Sequence, residues 1–88
     1  MNPIQIKLTE KERDLILEHT LAEADLTKPL KLAELQGNSL IVKYALEDLD
    51  ELAEHIAAEA NHAEDPKLQK RLDRLFDKLN RVAEKHSD

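Results

Sequence analysis

Cysteine and tryptophan are absent, glycine occurs once, and tyrosine and phenylalanine occur once each in 88 residues. Without cysteine there is no disulfide framework, no thiolate zinc site and no cysteine nucleophile. A single glycine leaves no glycine-rich phosphate loop. Two aromatic rings provide almost no platform on which nucleic-acid bases could stack. No apolar run approaches the ~18 residues needed to cross a bilayer, so no membrane partner is expected. The opening MNPIQIKLTE holds no signal-peptide hydrophobic region, and the cytoplasm is the expected compartment. Serine is scarce as well: Ser39 and Ser87 lack the context of a nucleophile elbow.

What the chain does contain is leucine and charge. Leucine and alanine dominate the apolar 41%, while β-branched Ile and Val are few, a balance that suits helices. The length fits one small domain, residues 1–88, which buries only ~60–65% of its unfolded surface. Ligand pockets of ~300–1,000 Å³ are hard to carve from such a core, so neither enzymatic activity nor a cofactor is expected.

The net charge of −6 is unevenly spread. Residues 1–65 hold 6 of the 13 Lys and Arg but 15 of the 19 Asp and Glu, net −9, whereas residues 66–88 are net +3. Overall acidity argues against general nucleic-acid affinity, which rests on cations neutralising phosphates.

Ile4, Ile6 and Leu8 alternate with polar residues, the period of a half-buried strand. Thr9 and Glu12 have capping-box spacing, which opens a first helix running from Glu10 to about Ala22. Its apolar residues, among them Leu17 and Leu21, spread around more than one side. Residues 25–45 read as a turn and short-strand region. There, Thr27-Lys28-Pro29 caps a short helix ending before Gly37, or Leu30–Gln36 forms a strand. Gly37-Asn38 suits a hairpin turn, and Leu40–Tyr44 is the most β-prone stretch and could pair with Ile6–Leu8.

Two amphipathic helices follow, over residues 46–63 and 65–86. The first carries Leu46, Leu49, Ala53, Ile56, Ala60 and Ala63 at heptad steps. The second starts at Asp65-Pro66 and carries Leu68, Leu72, Leu75, Leu79, Val82 and His86, with Phe76 and Ala83 widening the stripe. The short link predicts an antiparallel hairpin. The expected fold class is therefore α+β: mainly helical, with a small β element and a C-terminal helical hairpin packed on an N-terminal strand-helix unit. The alternative is all-α.

Three groups of residues are functional candidates. Lys67, Arg71, Arg74, Lys78, Arg81 and Lys85 make a continuous basic edge on the last helix. It reads either as a surface for an anionic partner, nucleic acid included, or as a solvated edge that balances the acidic preceding helix, Glu59 meeting Arg71. Glu51, His55, Glu59 and His62 step by four, four and three, and Glu59–His62 matches the Glu-x-x-His spacing of bundle di-metal sites. Those His positions point away from the apolar stripe, so a surface row is the expectation and a metal-dependent enzyme the distant alternative. Finally, Leu17 and Leu21, or the Leu79–Val82 end of the last helix, are the expected surface of a homodimer or of a complex with a larger protein. The leading function is a small non-enzymatic interaction or assembly module. A small regulator touching nucleic acid through the basic edge is the alternative.

Overall fold

The strand alternation at the N-terminus forms β1 (Ile4–Leu8), with Ile4, Ile6 and Leu8 turned into the core and Gln5 and Lys7 exposed. In the computed structural model, which describes residues 3–20 and 22–86, six further elements follow. They are α1 (Glu10–His19), α2 (Ala24–Leu32), β2 (Leu35–Gln36), β3 (Ser39–Tyr44), α3 (Leu46–His62) and α4 (Pro66–His86). The three strands form an antiparallel sheet in the order β1-β3-β2. Ile6 lies opposite Val42, and the pairing runs from Ile4–Tyr44 to Leu8–Leu40. The α+β expectation holds, including the pairing of the first strand with residues 40–44.

The start of α1 follows the capping-box spacing. Thr9 Oγ1 accepts from the Glu12 amide at 3.1 Å, and Glu12 Oε1 accepts from the Thr9 amide at 2.9 Å. The helix ends at His19, earlier than the expected Ala22. Thr20 terminates it: its backbone turns extended, and both its amide and its hydroxyl donate to the Ile16 carbonyl, at 3.1 and 2.7 Å. A β-branched side chain that serves the last carbonyls favours leaving the helix over continuing it.

Residues 25–45 contain the short helix that is one of the two readings of this region, and it starts earlier than Thr27. Both a helix and a hairpin are present. Thr27 does not cap α2; it lies inside the helix, buried, with its hydroxyl donating to the Ala24 carbonyl at 3.3 Å. Glu23 supplies the N-terminal carbonyl that the Leu26 and Thr27 amides use. Pro29 sits inside the helix, where it removes one i→i−4 donor. Burial of Leu26, Thr27 and Leu30 on one face offsets that loss. So does the Tyr44 hydroxyl, which donates to the Leu26 carbonyl and ties α2 to β3. Burial, reinforced by the negative charge of Asp48, pushes the Tyr44 hydroxyl well above the ordinary tyrosine range.

Gly37 turns the β2–β3 hairpin with φ +67°, and Asn38 keeps a negative φ, the sign pattern of a type II′ turn. β2 is only two residues long, and both are exposed.

The hairpin of α3 and α4 packs as its heptads predict, and β1 lies against α4. Leu49, Leu52, Ala53, Ile56 and Ala60 from α3 meet Leu72, Leu75, Leu79 and Ala83 from α4 in the shared core. At the C-terminal end the buried row follows Ala83; Val82 is half-buried and His86 exposed. Asp65 Oδ1 accepts from the Lys67 amide at 3.0 Å and caps α4 ahead of Pro66.

Candidate functional site

The basic edge of α4 sits where its four-three spacing places it, along the flank that faces α1. Arg71, Arg74, Arg81, Lys67 and Lys85 are exposed and Lys78 is half-buried. Lys78 Nζ reaches Glu12 Oε1 at 2.8 Å, so the carboxylate that closes the α1 capping box also anchors α4. Arg81 meets Asp77 one turn earlier on its own helix, at 3.6 Å. The expectation that this edge balances α3, with Glu59 meeting Arg71, is not what the molecule does. Among the described residues no ion pair links α3 to α4, and the acids Glu47, Asp50, Glu51 and Glu54 face solvent. The middle of the basic edge, Arg71, Arg74 and Lys78, lies beside α1 rather than facing the acids of α3.

Between α1 and α4 lies a cleft of about 190 Å³ lined by Lys11, Glu12, Leu15, Arg71, Arg74 and Leu75. It opens toward a wider hollow where Asp14, Glu18 and His19 join Lys11, Leu15 and Arg71. Asp14 is engaged by Arg13 at 3.1 Å. Lys11, Arg71 and Arg74 have no carboxylate partner among the described residues.

The expected interaction residues are used differently. Leu79 is fully buried between α4 and its neighbours, and Leu17 and Val82 pack onto the margin of the same core. A chain this short consumes those leucines internally, so Leu79 cannot line a free surface. Leu21 lies outside the described residues. In their place, two large apolar side chains stand open: Leu32, 69% exposed, and Leu35, 51% exposed, on either side of the α2–β2 link. Leu32 borders a shallow hollow with Pro29, Ala33, Ile41 and Lys43, while Leu35 looks toward Thr9 and Lys11. Reading the chain missed them because residues 30–36 fit helix and strand equally well. The run Leu30-Lys31-Leu32-Ala33-Glu34-Leu35 cannot put all three leucines on one helix face, which was the available signal.

On α3, Glu51 and His62 are exposed, and His55 and Glu59 are half-buried. Among the described residues, no three His, Asp or Glu side chains come together closely enough to hold a metal ion. No helix in that part of the chain is long and apolar enough to cross a membrane.

A scan of protein-family models finds none that matches the chain, and neither the curated proteins nor the solved structures searched contain a match.

Proposed function

We propose that the protein is a small, non-enzymatic interaction module that self-associates at the corner formed by the end of α2 and the edge strand β2. The observation that carries this reading is the exposure of Leu32 and Leu35 in a chain whose other leucines lie mostly in the core. Covering a leucine side chain is worth about 1.5–3 kcal/mol, so a pair on each of two copies supplies a useful driving force. A two-fold arrangement is the simplest way to use such a patch, because the same surface then covers itself. The adjacent sheet edge favours this corner further. A two-residue strand presents unpaired backbone groups to a partner yet is too short to template runaway pairing. A cytoplasmic setting is part of the same reading.

Light scattering at tens of micromolar tests it. The expected mass is twice 10.1 kDa, falling to one chain in Leu32→Glu/Leu35→Glu with unchanged helical circular dichroism. A wild-type mass of one chain across that range removes the proposal.

A further inference from the structure

The cleft between α1 and α4 has a cationic rim that the fold leaves unneutralised. Leu15 and Leu75, 4% and 1% exposed, close its base, and its accessible apolar walls are the side-chain stems of Lys11, Arg71 and Arg74. Arg71 and Arg74 stand one helical turn apart on one side and Lys11 faces them from α1. The acid in the cleft's own lining, Glu12, is already committed to the Thr9 amide and to Lys78.

We propose that this cleft is a docking groove for an acidic amphipathic peptide segment of a partner protein. A space of about 190 Å³ walled by those stems takes one aliphatic side chain of the partner. Carboxylates one turn to either side of that residue then reach the two guanidinium groups, whose planar forks favour bidentate carboxylate contacts, and the Lys11 ammonium. The groove discriminates against a continuous polyphosphate. Its far end carries the carboxylates of Asp14 and Glu18, which repel a backbone charged at every step. It also offers no exposed tyrosine or phenylalanine ring for a base: Tyr44 is buried, and Phe76 packs against the core. The partner is therefore a protein segment with alternating leucine and glutamate or aspartate at helical spacing. Lys11 borders both this groove and the hollow beside Leu35, but docking here does not depend on self-association.

The test is fluorescence anisotropy of the full chain with a labelled synthetic peptide bearing leucines and glutamates at helical spacing, in about 50 mM salt, where exposed charges are weakly screened. Saturable binding is expected. Arg71→Glu/Arg74→Glu weakens it by about tenfold or more, whereas Arg81→Glu/Lys85→Glu, with the same change in net charge, leaves it in place. Leu32→Glu alone, on the side of the corner away from Lys11, also leaves it in place, whatever that variant does to the mass in solution. Equal loss in both charge-reversal variants would reduce the effect to net charge and overturn the assignment. Absence of binding overturns it too, as does equal affinity for the same peptide with glutamine at every glutamate. Tighter binding of a single-stranded oligonucleotide at this edge would replace it with nucleic-acid recognition.

Discussion

At the scale of single residues, two side chains join parts of the chain that are distant in sequence, and each does so through one oxygen. Glu12 Oε1 serves the Thr9 amide and the Lys78 ammonium together, so the geometry that starts α1 also sets its distance from α4. Tyr44 does the equivalent for α2, delivering its hydroxyl to the Leu26 carbonyl from the last position of β3. The raised pKa of that hydroxyl has a definite consequence for stability. Below pH ~10 the folded and unfolded chains both keep the phenolic proton, and the group is neutral with respect to folding. Above it, the unfolded chain releases the proton while the folded chain retains it, so stability falls as pH rises. Urea denaturation between pH 8 and 11 should show this decline. Tyr44→Phe should be less stable at pH 8 by about 1 kcal/mol, for the lost hydrogen bond, yet decline less steeply above pH 10.

At the scale of elements, the hairpin of α3 and α4 was legible because its signals are local and redundant. Heptad spacing, Asp65-Pro66 as a start, and a link of a few residues all point the same way. β1 and the Thr9 cap were legible for the same reason. α2 was legible only as one of two alternatives, because the choice depends on tertiary contacts that no local pattern displays. A proline at its sixth position and an ambiguous leucine run argue against a helix, and only burial against β3 and the Tyr44 hydrogen bond decide for it. The basic edge was readable as a row, but its neighbour was not: heptads alone cannot say that α1 rather than α3 lies beside it. The β2–β3 hairpin carries a prediction at this scale. At Gly37 a side chain would meet nothing within 4 Å, so space is not the obstacle; its positive φ is. Gly37→Ala should therefore lower stability by about 1–2 kcal/mol in chemical denaturation while leaving helical circular dichroism intact.

At the scale of the whole molecule, charge is segregated without being cancelled. The outer face of α3 holds Glu47, Asp50, Glu51 and Glu54 at spacings of three and four, where like charges repel by a few tenths of a kcal/mol per pair. The cross-element attraction that offsets this is confined, among the described residues, to Lys78 and Glu12. We predict that the repulsion is the larger of the two, so that screening stabilises the fold. Raising sodium chloride from about 0.05 to 0.5 M should lift the thermal midpoint by about 2–5 °C. A fall in the midpoint would mean that attractive pairs dominate.

The order of the sheet bears on the protein's biosynthesis. β1 is paired only with β3, so its partner, residues 40–44, leaves the ribosome after two intervening helices have been made. Ile4, Ile6 and Leu8 therefore wait as an unpaired apolar strand while residues 9–39 are made, whereas α4 follows its own partner, α3, almost at once. Gln5 and Lys7 alternate with those residues, and that interruption keeps the waiting strand from being a continuous sticky segment. β1 thus precedes every other element of the fold, yet must wait for α1, α2 and β2 to be made before its pairing partner exists.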